Sequence, residues 1–214
     1  LGDVYKRQSL LRFDLGGQLC EPDEIAARIL VILQGQARLV GRHNGRLTTV
    51  GKLGPGSVVG AASLLSCVPC ENVIAAEEVI ACALSDELWR ELYYSEPSFR
   101  NWCDQQLWPQ ELLKLLEALE QNNPETESSA LEKLESALHS AERCAPNSTA
   151  VDAALAAGKR LYVTSAWGDL SVGQPVRSFA DMPSCEPFSL RLVALPSIEA
   201  SALEPLDESD PEKA

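Results

Sequence analysis

The stretch Leu53-Gly54-Pro55-Gly56-Ser57-Val58-Val59-Gly60-Ala61-Ala62-Ser63-Leu64-Leu65 constrains the fold more than any other part of this chain. A strand ends in a tight glycine-proline turn, a short apolar strand follows, and Gly60 opens a helical turn of small residues. Glycine lets the main chain approach a ligand closely, and the first N–H groups of a helical turn have no partners inside it. Such a stretch has the form of a backbone cradle for an anion.

The flanking sequence supplies many short strands. Ser9–Leu19 reads as a strand running into a turn at Gly16-Gly17. Ile25–Gln34 carries the β-branched and apolar residues of a buried strand and closes at Gly35. Gln36–Val40 and Arg46–Leu53 flank a His43-Asn44-Gly45 hairpin turn, and Val73–Ala76 and Val79–Leu84 form another pair. Short strands separated by regular glycine turns predict an antiparallel roll or barrel.

The period then changes. Ser85-Asp86-Glu87-Leu88 is a helix N-cap with acids in the first turn. Leu88, Trp89, Leu92 and Tyr93 keep helical spacing up to Glu96-Pro97. A second helix starts at Ser98, Pro109 interrupts it, and leucines 112, 113, 115, 116 and 119 carry it on. Ser128–Cys144 reads as one amphipathic helix and Val151–Ala157 as a short one ended by Gly158. Lys159–Ser165, Val172–Val176 and Phe188–Leu195 read as strands. The expected fold class is α+β: an antiparallel β-roll or jelly roll with closing helices, then a small helical unit with a few strands.

The expected divisions are residues 1–8, an artefactual or disordered segment; 9–107, the roll; 108–200, a helical linker with a small α/β unit; and 201–214, an acidic disordered tail. The chain does not begin with methionine and is read as a fragment. Its formal charge of −13 is uneven: residues 1–100 hold 10 Lys and Arg against 12 Asp and Glu, and residues 101–214 hold 8 against 19. A second half at −11 argues against nucleic acid as a partner. No apolar run approaches a membrane span, so direct membrane insertion is not expected. Seven cysteines without a secretory signal suit a reducing, cytoplasmic compartment.

Residues 10–107 resemble the cyclic nucleotide-binding domain family. The marks are Gly16-Gly17 after Phe13, the strand ending at Gly35, Leu53-Gly54-Pro55-Gly56, Val59-Gly60, and Ala75 followed by a strand to Leu84 and the helix at Ser85–Tyr93. The resemblance implies two ligand-binding side chains: a Glu after the cassette glycine for the ribose 2′-hydroxyl, and an Arg near the cassette's end for the cyclic phosphate. This chain has Ala61 at the first position, and no basic residue in Pro69–Asn72 for the second. Losing such a charge-assisted contact costs about 1.5–3 kcal/mol, and Glu71 would repel a phosphate. The expectation is an intact roll with a degenerate site, keeping a neutral cradle of Gly60, Ala61, Ala62 and Ser63 that could take at most a nucleotide or anion weakly.

The second half, with its Leu-rich acidic helix and the LYVTSAW and RLVALP segments, resembles the N-terminal cytoplasmic region of cyanobacterial ABC-type exporters. That likeness implies downstream transporter domains as partners and, through them, the cytoplasmic face of the inner membrane. The function expected is a non-catalytic regulatory or docking region. Two alternatives were weighed: a Crp-like transcription regulator, for which no basic recognition helix is visible, and a cAMP or cGMP sensor attached to a truncated enzyme.

Cys67-Val68-Pro69-Cys70 has CxxC spacing but lies in the cassette loop and lacks the second pair that a zinc site needs. His43 and His139 have no nucleophile nearby, and the acids of 117–142 read as a solvated helix face. No catalytic residue, metal site or cofactor is expected. Trp89, Tyr93, Tyr94, Phe99 and Trp102 are expected to pack the closing helices against the roll.

Overall fold

The computed structural model describes residues 8–43, 46–122, 130–181 and 188–196. The hairpin turn at Asn44-Gly45, Cys185, the tail 201–214 and most of segment 1–8 lie outside the described residues.

Eight strands build two four-stranded sheets. They are β1 (Gln8–Phe13), β2 (Gln18–Cys20), β3 (Arg28–Gln34), β4 (Ala37–His43), β5 (Arg46–Leu53), β6 (Val58–Val59), β7 (Val73–Ala75) and β8 (Val79–Ser85). One sheet runs β1-β8-β3-β6, the other β2-β7-β4-β5, with every pairing antiparallel. The result is the expected jelly-roll arrangement, with no closed barrel. Leu30, Ile32, Leu39, Val59, Val73 and Val79 fill the space between the sheets.

β3 carries a continuous apolar run. Leu30 and Ile32 point into the roll, whereas Ile29 points out, into a second cluster beneath the helices. The cover on that outer face ends with Ile29: Val31 is half-buried and Leu33 is 50% exposed. Gly35 ends the strand with φ +85°, and a Cβ there would stand 2.0 Å from the Glu78 carbonyl oxygen. Only glycine fits that close crossing.

Helix α1 (Ala61–Ser66) lies between β6 and β7, and α2 (Asp86–Ser95) follows β8. Ser85 caps α2 by accepting a hydrogen bond from Leu88 N at 3.2 Å, with Asp86 and Glu87 in the first turn. α3 (Pro97–Gln105) starts on proline, and α4 (Pro109–Asn122) restarts the helix on a second one. Trp89 sits edge-on to Phe99 and Trp102, and Tyr93 edge-on to Phe188. Trp89, Tyr93 and Phe99 pack as expected, joined by Phe188 from far along the chain, whereas Tyr94 and Trp102 stay exposed.

The second half contains α5 (Ala130–Ser140), β9 (Glu142–Cys144), α6 (Ser148–Ala156), β10 (Lys159–Val163), β11 (Pro175–Val176) and β12 (Leu192–Pro196). The strands form a third antiparallel sheet in the order β11-β10-β12-β9. Three expectations are corrected. Val73–Ala75 and Val79–Ser85 do not pair with each other: β7 lies between β2 and β4, and β8 between β1 and β3, in different sheets. The helix read over Ser128–Cys144 stops at Ser140, and Glu142–Cys144 is a strand, because Cys144 pairs with Leu192 and is buried there. The strand read over Phe188–Leu195 begins only at Leu192, where pairing with β10 begins. Leucines of α4 pack with Leu134, Tyr162, Val193 and Leu195, so α4 carries this sheet as well as facing the roll. Among the described residues, no helix is long and apolar enough to cross a membrane.

Candidate functional site

The cassette starts at Gly60, which has φ +93°; a Cβ there would meet Arg28 O at 2.8 Å and the Ala26 Cβ at 2.9 Å. Both the left-handed turn and the close approach demand glycine. Ala61, Ala62 and Ser63 follow on α1, all fully buried. The Ser63 hydroxyl donates to Gly60 O at 3.1 Å and accepts from Ala26 N at 3.3 Å, so it is committed to holding the loop.

Two N–H donors of the cradle, those of Gly60 and Ser63, are also engaged. Glu71 Oε1 accepts from Gly60 N at 2.9 Å, and Glu71 Oε2 accepts from Ser63 N at 3.0 Å. The carboxylate bridges two N–H groups, the arrangement a phosphate would take up in an open cradle. Glu71 is wholly buried. Burial pushes its carboxyl above the ordinary range, while the N–H bonds from Ser63 and Gly60 pull the other way. Glu71, expected to repel a phosphate, has its side chain on the cradle's own N–H groups. Gln110 on α4 completes the surroundings, its Nε2 lying 3.5 Å from Glu71 Oε1.

A cavity of about 270 Å³ lies on the side of Gly60 formed by Ala26 and Arg28. Another cavity of about 180 Å³ is lined by Pro22, Asp23, Pro69, Cys70, Asn72 and Leu113, among others. Ligand pockets commonly measure about 300–1,000 Å³. Helical leucines close the neighbouring wall: a Cβ on Gly41 of β4 would stand 2.9 Å from Leu131 and 3.1 Å from Leu113.

The sequence model of the cyclic nucleotide-binding domain matches residues 10–96. This segment belongs to the cyclic nucleotide-binding domain family. Among solved structures, the chain is similar to a cyclic nucleotide-binding domain from Methylobacillus flagellatus, at 20% identity, covering 45% of this chain and 55% of that one, with a TM-score of 0.40. It is also similar to a mutant regulatory subunit of a cAMP-independent protein kinase A from Trypanosoma brucei bound to cAMP, at 20% identity over 46% and 41% of the two chains, with a TM-score of 0.37. A third is a cyclic nucleotide-binding protein from Geobacter metallireducens, at 18% identity over 47% and 73%, with a TM-score of 0.40. The chain spans about half the length of the first two. No curated protein matches it.

A cyclic nucleotide-binding domain is a regulatory, non-catalytic module. Burial pushes the Cys67 thiol up and the Cys70 thiol well up, which disfavours the thiolate that redox and metal chemistry need. Among the described residues no three His, Cys, Asp or Glu side chains are grouped to hold a metal ion.

The sequence carries no local mark of the pairing in a buried ionic cluster that ties α3 and α4 to the third sheet. Arg191, 1% exposed, grips both oxygens of Glu111: Nε reaches Oε1 at 2.9 Å and Nη2 reaches Oε2 at 2.7 Å. The same guanidinium donates to Cys103 O at 3.2 Å and Gln106 O at 2.7 Å. Thr164 donates to Glu111, and Arg143 Nη1 lies 3.5 Å from it. Burial by itself would raise the Glu111 carboxyl; the adjacent guanidiniums of Arg191 and Arg143 outweigh that and hold it below the ordinary range. Burial lowers Arg143 to about 10. Nearby, Tyr93 Oη donates to Asp104 at 2.8 Å and meets Ser189 Oγ at 2.8 Å, and Ala166 N donates to Ser66 O at the end of the cassette helix. One signal was present in the sequence: Glu111 lies four and eight residues before Leu115 and Leu119, on the apolar stripe of α4.

Proposed function

We propose that the domain is a regulatory or docking module that works without a cyclic nucleotide, because its own Glu71 serves as the anion of the cassette. The observation that carries this reading is the Glu71 carboxylate bonded to Gly60 N and Ser63 N. Ala61 in place of the ribose-binding acid, and the lack of a basic residue in Pro69–Asn72, support it. A cyclic nucleotide would have to expel a buried carboxylate without an arginine to offset the loss. Calorimetry with cAMP and with cGMP is expected to show no binding at micromolar concentrations. A micromolar dissociation constant for either would refute the reading.

The finer placement, as the N-terminal cytoplasmic region of an ABC-type exporter, is supported by the order of roll, Leu-rich helices and small α/β unit. In that setting the module acts on the downstream transporter domains through α3 and α4, which the buried Glu111–Arg191 pair fastens to the third sheet. Sequencing the whole gene tests it: hydrophobic spans followed by a phosphate-binding Walker A loop are expected. A basic helix-turn-helix or a catalytic domain in their place would overturn it.

A further inference from the structure

Beside the buried carboxylate of the cassette stands an acceptor without a donor. Gln110 is 2% exposed, and its Oε1 is buried with no hydrogen-bond partner. Its Nε2 reaches Glu71 Oε1 only at 3.5 Å, the far limit of a hydrogen bond. A half-turn of the terminal amide exchanges its oxygen and nitrogen. The amide oxygen then faces Glu71 Oε1, and only a protonated Glu71 has a hydrogen to give it.

The groups around Glu71 leave the proton to that pair. On its own loop, Cys70 is a thiol held neutral by burial, and on β2 Cys20 is pushed up to about 12, chiefly by burial. Cys67, at the end of α1, is raised the same way. On α4, Glu111 is already clasped by Arg191. Among the described residues, no Lys or Arg forms an ion pair with Glu71.

We propose that Glu71 and Gln110 form a proton-operated latch between the cassette and α4. Without the proton, Glu71 is the anion of the cradle and receives a long amide N–H contact. With one proton taken from solvent, it keeps its place and donates its O–H to the Gln110 carbonyl, drawing α4 onto the cassette. Glu111, the next residue on α4, is fixed to Arg191, so the third sheet receives the change. Burial raises the Glu71 carboxyl, which moves the proton step toward neutral pH. The latch rests on the reading of Glu71 as the resident anion.

An NMR titration of the whole chain with carboxyl-labelled glutamate tests it. One carboxyl, absent in Glu71→Gln, is expected to titrate above the ordinary glutamate range. In Gln110→Met its midpoint is expected to fall, because the acceptor serving the protonated form is gone; Gln110→Leu serves if the first variant does not fold. A midpoint that rises or stays put overturns the latch, as does a Glu71 that shows no raised titration. The underlying reading is checked apart from this, in the Gly60 and Ser63 amide resonances of Glu71→Gln. Unmoved amides sink the resident-anion reading, whereas moved amides with an unshifted midpoint sink only the latch.

Discussion

Glu71 and Glu111 are equally buried, yet their carboxyls shift in opposite directions. Glu71 has backbone N–H groups and a distant amide. Glu111 has two guanidiniums and a threonine hydroxyl. At Glu71 the N–H bonds do not offset the loss of water around the charge, whereas at Glu111 the two guanidiniums do. The first arrangement makes a site that fills itself and stays responsive to protons. The second makes a fixed joint between the closing helices and the third sheet.

The largest expected effect lies at the joint. Arg191→Met leaves the Glu111 charge buried without its bidentate partner, a loss of about 3–5 kcal/mol in chemical denaturation. Replacing both residues, as Glu111→Leu with Arg191→Met, is expected to recover much of that loss. A double variant as unstable as the single one would show that the pair does not set the stability of the joint.

At the cassette, Gly60→Ala forces a side chain into a left-handed turn against Arg28 O. A loss of about 1–3 kcal/mol is expected, read as a lowered Tm. An unchanged Tm would mean that the cassette entry is not the constrained turn described above. Ser85→Ala removes the cap of α2 at a cost of about 1 kcal/mol, and a change within experimental error would deny the cap its role.

The smallest effects are those of pH, and they separate the two carboxyls by sign. Glu71 is raised on folding, so its stabilising contribution is full below its unfolded value near 4.5 and is lost as pH rises through the folded value. Glu111 is lowered, so its contribution is present above that value and is lost as pH falls through the folded one. Glu71→Gln is therefore expected to flatten the decline of stability on the alkaline side of 4.5. It should leave the acid limb intact. A variant whose alkaline side matches the unaltered protein would remove Glu71 from the account.

The roll was legible because its signals are local. Glycine turns, the alternation along the strands and the Ser85 cap each act within a few residues. Ala61, where the family resemblance implies a ribose-binding acid, was also visible in the sequence. What Glu71 does was not readable, because a side chain turning back onto N–H groups at Gly60 and Ser63 depends on how the loop closes. The same limit hid the joint: Arg191 stands among Leu190, Leu192 and Val193, and its partner Glu111 is brought to it only by tertiary packing. The strand at Glu142–Cys144 reads as helix in the sequence because its buried pairing to β12 has no local mark.

The central claim is that the cassette already holds its anion. Following the Gly60 and Ser63 amide resonances while cAMP is added to the intact chain tests it most directly. Both signals are expected to stay in place through the micromolar range, held by the Glu71 carboxylate. Saturable movement of both with a micromolar midpoint would mean that the nucleotide displaces Glu71, and would contradict the account.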